Sequence, residues 1–175
     1  MKPGSEGRVY WVTGLSGAGK TTLAVSLVAV LRGRGRAAVL LDGDQLREVL
    51  DAQSGHGRDA RFALAMRYAK LCKVLSEQGI DVVIATISMF REVYAWNRQY
   101  LPDYVEIYLN VPLGELRRRD PKGIYRRVDA GTQNDVAGVD LPVEPPESPD
   151  IQIDHQDGST PAAVLAVVLS RLGFP

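Results

Sequence analysis

Nine consecutive residues carry the clearest chemistry in the chain: Gly14-Leu15-Ser16-Gly17-Ala18-Gly19-Lys20-Thr21-Thr22. Gly14, Gly19, Lys20 and Thr21 satisfy the spacing G-x-x-x-x-G-K-[ST]. Glycines let backbone N–H groups converge on phosphate oxygens with no Cβ in the way. A lysine in this register reaches the β- and γ-phosphates of a nucleoside triphosphate, and the Thr21 hydroxyl holds Mg²⁺. The loop residues expected to hold ATP are therefore Gly14, Ser16, Gly17, Ala18, Gly19, Lys20, Thr21 and Thr22. A tight glycine-rich turn without ligand is the poorer account of the full motif.

Two further clusters bear groups that phosphoryl transfer needs. The stretch LDGDQLR places the carboxylates of Asp42 and Asp44 beside a glycine, with Arg47 one helical turn on. A carboxylate can orient or deprotonate an attacking hydroxyl, and the planar fork of an arginine suits an anionic acceptor. Asp44 is the candidate for the first task, although an aspartate before a helix is also a good N-cap. The run RRRDPKGIYRR, Arg117 to Arg127, would ordinarily be a solvated helix face. Its Asp-Pro-Lys-Gly core cannot be one uninterrupted helix. A mobile cationic lid over nucleotide phosphates fits that composition.

Alternating elements must position these groups. VYWVT (Val9 to Thr13) reads as a buried strand, and TLAVSLVAVLRGRG as a helix stopped near Gly33 or Gly35. Further strands are expected at Ala37 to Leu41, Asp81 to Ile87, Val105 to Val111 and Ile151 to Asp154. Helices are expected at about Arg58 to Gln78, Phe90 to Tyr100 and Pro161 to Leu172. Repeated βα units imply an α/β fold, a parallel sheet covered on both faces, with ligands at the carboxyl ends of the strands. The loop and the two aspartates then open on one edge.

The 175 residues suit one domain, residues 1–175, and a hydrophobic fraction of 45% suits an ordinary core. Lys plus Arg equals Asp plus Glu, 21 each, which argues against a general nucleic-acid or membrane-surface binder. Cys72 is the only cysteine and reads as a core thiol. MKPGSEGR does not resemble a signal peptide and no apolar run reaches spanning length, so a cytoplasmic location is the expectation. His56 and His155 lack metal-ligand spacing. Both read as incidental, His56 being the better candidate for an acceptor contact.

Taken in order, GLSGAGKTT, LDGDQLR, ISMFR, RDPKGIY and the segment Gly138-Val139-Asp140-x-Pro142-x-Glu144-x-Pro146 resemble the adenosine 5′-phosphosulfate (adenylylsulfate) kinase family. The resemblance spans almost the whole chain. It implies a P-loop kinase, a three-layer α/β/α fold with a five-stranded parallel sheet and a basic lid at about residues 114–148. MgATP would donate its γ-phosphoryl to the ribose 3′-hydroxyl of a small-molecule nucleotide acceptor. On matching positions, Lys20, Asp44 and Lys122 would be catalytic, with Asp44 acting as base or metal-water anchor beside Thr21. Lys122 would stabilise the transferring charge. Arg119 and Asp120 would lie near the ATP base. Asp42, Asp44, Arg47, Arg58, Arg61, Ser88, Phe90, Lys122, Gly123 and Ile124 would hold the acceptor. Family members are usually homodimers.

The departures fall on the acceptor side. Family members carry Gly-Phe-Ser before Asp-Arg, then Asn-Ile-Arg-Arg, where this chain reads AQSGHGRDARFALAMR. Arg58 matches the first arginine, the asparagine falls on Arg61, and the later arginine pair on Ala63 and Leu64. The two family aromatics that sandwich the acceptor's adenine fall near Gln53 and on Val136. Stacking of that kind is worth about 1–3 kcal/mol per base in single-strand systems, so recognition of adenine weakens unless Phe62 or another ring substitutes. Met89 stands where the family has proline. Ser88-x-Phe90 and Trp96-Asn97-Arg98 resemble a divergent branch, one type of which phosphorylates cytidine diphosphoramidate. Trp96 itself reads as a helix residue packed on the sheet, and Tyr94, Tyr100 and Tyr104 as core or rim. A guanine-specific switch NTPase would need an Asn-Lys-x-Asp motif, which is absent. A degenerate binding module would not be expected to keep Lys20, Thr21, Asp44, Arg47 and Lys122.

Overall fold

The computed structural model describes residues 6–50 and 57–174. Its order is β1 (Val9–Thr13), α1 (Lys20–Gly33), β2 (Ala38–Asp42), α2 (Gly43–Leu50), α3 (Arg58–Ser76), β3 (Asp81–Ala85), α4 (Arg91–Tyr100), β4 (Tyr104–Asn110), α5 (Leu113–Arg119), α6 (Ile124–Asp129), β5 (Ile151–Asp154) and α7 (Pro161–Arg171). The five strands form one sheet in the order β2-β3-β1-β4-β5, and every pairing is parallel. The expected α/β P-loop architecture is what forms.

β1 is buried from end to end because it lies mid-sheet with helices on both faces. Its side chains alternate between two cores. Tyr10 and Val12 join Leu27, Leu31, Val83, Ile107 and Val168 beneath α1 and α7. Val9 and Trp11 join Leu64, Tyr68, Cys72, Val82, Ile84 and Val93 beneath α3 and α4. Leu27 and Leu31 are fully buried, contributing about 2 kcal/mol each by area removed from water. Cys72 is a buried free thiol, as its setting predicts, and burial pushes its pKa far up.

The chain runs from β1 outward to β2, returns to β3, then crosses to β4 on the other side of β1. That reversal opens a crevice at the strands' carboxyl ends. β3 ends at Ala85, two residues short of the predicted Ile87. Beyond it the backbone leaves the sheet, held by Thr86 N–H on the Val12 carbonyl at 3.0 Å and by the Thr13 hydroxyl on the Ile87 carbonyl at 2.6 Å. This exit carries Ser88, Met89 and Phe90 to the crevice.

Candidate active site

The phosphate loop joins β1 to α1. Gly19 adopts a left-handed φ of 97° immediately before Lys20 opens the helix, a conformation that suits a residue without Cβ. The Lys20 ammonium donates to the Leu15 carbonyl at 2.9 Å, and Ala18 N–H to the same oxygen at 3.2 Å. Burial first, then the nearby Lys122 charge, lower the Lys20 pKa to about 8, opposed by Asp44 and Asp42.

Asp42 ties the loop to β2. One carboxylate oxygen accepts from the Thr21 hydroxyl at 2.7 Å, and the other from the Asp44 N–H at 2.9 Å. The helix α2 begins at Gly43, so Asp42 is its cap. The capping alternative for Asp44 thus falls to Asp42: Asp44 lies within the first turn, and its side chain is turned to another partner. That side chain is 73% exposed and pairs with the ammonium of Lys122, 78 residues away. The candidate base and the candidate lid lysine therefore meet.

Around this pair lies a cleft of about 590 Å³. Ser16, Gly17, Gly19, Lys20, Thr21, Thr22, Asp42, Asp44, Arg47, Arg58, Arg61, Ser88, Phe90, Lys122 and Ile124 all line it. Arg47 Nη1 is buried without a hydrogen-bond partner among the described residues. Burial and the neighbouring Arg47 lower the Arg61 pKa. Two crowded guanidinium groups in a cleft wall form a receptor for an anion. Arg58 stands over the Phe90 ring at 5.5 Å and reaches Glu144 at 3.4 Å, and Glu144 also accepts the Arg91 N–H at 2.9 Å. Phe62 meets Phe90 edge-on at 5.6 Å but does not line the cleft, so it supports a wall ring and is not a second stacking face. Val136, Ala137, Leu141, Pro142 and Val143, from the predicted lid segment, supply an aliphatic wall.

A second cleft, about 430 Å³, lies across the start of α1. Ala18, Gly19, Thr22, Arg119 and His155 are among its lining residues. His155 Nδ1 sits 3.0 Å from Arg119 Nη2, so this histidine belongs to a site wall. Asp120 lines neither cleft. Its buried carboxylate accepts the N–H groups of Tyr125 at 3.2 Å and Arg126 at 3.0 Å, capping α6. Gly14 and Gly123 also stay out of both walls; Gly123 is the residue that starts α6. Gln53 and His56 lie outside the described residues.

The predicted lid segment contains two short helices, α5 and α6, broken at Asp-Pro-Lys-Gly as the sequence requires. Leu116 and Tyr125 bury themselves in the core beneath α1. Tyr125 Oη donates to the Ser16 carbonyl at 2.9 Å. No local pattern in the sequence marks that bond, which joins residues 109 apart. Trp96 packs against the α3/α4 core and stacks on Tyr100 at 5.0 Å. Tyr94 is buried, whereas Tyr100 is exposed.

The donor set fits MgATP. Among the described residues, no group of three or more His, Cys, Asp or Glu side chains could hold a metal. Thr21, Asp42 and Asp44 instead offer one hydroxyl and two carboxylates beside the loop. This is the sparse oxygen set of a Mg²⁺ that keeps its waters and binds substrate phosphates.

A family model described as adenylylsulphate kinase matches residues 6–154. The chain belongs to the adenylylsulphate kinase family. As a member it is an ATP-dependent kinase, and the family uses ATP with Mg²⁺. Among its relatives, the cytidine diphosphoramidate kinase of Campylobacter jejuni is 36% identical over 95% of this chain and 96% of its own. The adenylyl-sulfate kinase of Pseudomonas aeruginosa is 37% identical over 91% and 83%. The structure of the Mycobacterium tuberculosis APS kinase CysC in complex with AMPPNP and APS superposes with a TM-score of 0.88, at 31% identity, covering 96% of this chain and 98% of that one. No helix among the described residues is long and apolar enough to cross a membrane.

Proposed function

We propose that the chain, acting as one P-loop kinase domain over residues 1–175, transfers the γ-phosphoryl of ATP to a ribose 3′-hydroxyl. The acceptor is a nucleotide, adenosine 5′-phosphosulfate in the first reading. The observation that carries the proposal is the convergence of Thr21, Asp42, Asp44 and Lys122 beside Arg47 in one cleft. In this reading Asp44 takes the proton of the attacking hydroxyl as its oxygen bonds to the γ-phosphorus. The bond to the β–γ bridging oxygen breaks, and ADP departs with the electron pair. Lys20 and Lys122 face the charge that gathers on the transferring oxygens. Thr21, with the adjacent carboxylates, would hold Mg²⁺, which neutralises phosphate charge. Arg47, Arg58 and Arg61 hold the acceptor's anionic end, with Ser88 and Phe90 at its border. Arg119 and the second cleft take the donor base. Residues 114–148 act as the lid. A homodimer and a cytoplasmic location belong to the same reading, and light scattering on purified protein tests the assembly.

A cytidine acceptor, as in cytidine diphosphoramidate, is the second reading. The aliphatic wall at Val136 favours it, because the rings lining this cleft among the described residues are Tyr68 and Phe90. An acceptor panel separates the two. ADP release should be followed with adenosine 5′-phosphosulfate, cytidine diphosphoramidate and simple nucleoside diphosphates at low concentration. Preference for the adenosine compound upholds the first reading. Preference for the cytidine compound replaces it. In that case Val136→Phe should recover adenosine binding by about ten-fold if stacking is the missing element. Nucleotide binding with no transfer to any acceptor would remove the kinase assignment.

A further inference from the structure

We infer that Tyr125 is a positioning residue for the phosphate loop, setting the direction of the Gly17 N–H. The inference rests on the ATP-dependent reading above and names a residue that reading does not use. Tyr125 is 1% exposed, and its hydroxyl donates to the carbonyl oxygen of Ser16 at 2.9 Å. Burial first, then the nearby Asp120 carboxylate, raise the Tyr125 pKa to about 12. The phenol therefore keeps its proton, and remains a donor, across the working pH range.

The Ser16–Gly17 peptide is planar and trans, so its C=O and N–H point in opposite directions. A hydroxyl that holds the oxygen on the α6 side turns the Gly17 N–H away from α6. Gly17 lines the cleft beside Lys20 and Thr21. The neighbouring carbonyl is restrained in a related way, because Leu15 O accepts from both Ala18 N–H and the Lys20 ammonium. Two successive carbonyl oxygens of the loop are thus engaged, and neither is left to oppose a phosphate oxygen.

Tyr125 is itself fixed from the lid side. Its N–H donates to the Asp120 carboxylate, which also accepts the Arg126 N–H. Pro121 meets the loop from the same segment: a Cβ placed on Gly17 would lie 3.5 Å from Pro121 Cδ. The segment bearing Lys122 therefore sets the geometry of the loop as well as contributing a charge.

The test is Tyr125→Phe, which keeps the buried ring and deletes one donor. Binding of Mg²⁺ with AMPPNP is measured by calorimetry, alongside the Gly17 amide resonance in a ¹⁵N-labelled sample. The expected result is about five-fold weaker analogue binding in a folded variant. The Gly17 amide should also be displaced before ligand is added and should shift less on saturation. Wild-type binding in the variant with an unmoved Gly17 amide overturns this inference and leaves the kinase reading standing. Wild-type protein that binds no analogue overturns both. If Tyr125→Phe does not fold, Asp120→Asn, which loosens the same helix start while leaving the phenol, should give a smaller loss in the same direction. An unchanged affinity there overturns the inference.

Discussion

At the scale of single residues, the site divides labour between two aspartates separated by one glycine. Asp42 has both oxygens committed, to Thr21 and to the Asp44 N–H. The Asp44 side chain is exposed and pairs with the Lys122 ammonium. Asp44→Asn should therefore keep AMPPNP binding within about two-fold, yet lose about 10²-fold or more in phosphoryl transfer, the size of a general-base contribution. Full turnover in that variant would remove Asp44 from the mechanism. Lys20 predicts a pH dependence. Its pKa, lowered to about 8 by burial first, lies below the unfolded value, so the unfolded chain binds more protons between about pH 8 and 10.5. This group makes folding stability rise with pH across that window. Bound phosphates favour the charged amine, so ATP binding should take up a proton above about pH 8 and weaken as pH rises further. Calorimetry in buffers of different ionisation enthalpy reads that uptake directly; identical heats at about pH 8.5 would separate Lys20 from the phosphates.

At the scale of elements, the strands and long helices were legible because parallel strands buried on both faces read as unbroken apolar runs. VYWVT and IQID occupy the predicted residues, and the break at Asp-Pro-Lys-Gly was visible from the chemistry of proline. The phosphate loop was likewise legible, from its glycine and lysine spacing. The capping roles were not, because Asp42 and Asp44 have equal local claims and only the start of α2 decides between them. Asp120 was read from resemblance as a neighbour of the ATP base, whereas burial directs its carboxylate to α6. The Tyr125–Ser16 bond and the seat of Gly138 on Leu15 join distant residues and leave no mark on local pattern. Gly138 has φ of 81°, and a Cβ there would approach Leu15 Cδ2 to 2.7 Å. Gly138→Ala should cost roughly 1–3 kcal/mol, seen as a lower denaturation midpoint, and should raise the KM for ATP because Leu15 belongs to the loop. A variant as stable as wild type would mean that this seat adapts freely.

At the scale of the molecule, stability and chemistry occupy opposite edges of the sheet. At the amino-terminal end of β3 the buried Asp81 accepts from Arg36 Nη2 at 2.7 Å and from the Arg8 N–H at 2.9 Å. Asp81→Asn should cost about 2 kcal/mol, the scale of a charge-assisted hydrogen bond, and leave KM and kcat unchanged. A loss of turnover at full occupancy of folded protein would contradict that separation. The other edge holds two cavities, and Gly19 and Thr22 are the described residues that line both. A substitution in an outer wall far from the start of α1 and from the Arg119–Lys122 stretch, such as one at Val136, has little route to the other cavity. The two halves of the site are thus free to diverge independently: one lineage can exchange the molecule it modifies through a few wall positions such as Val136, while the machinery that grips the energy source is inherited intact.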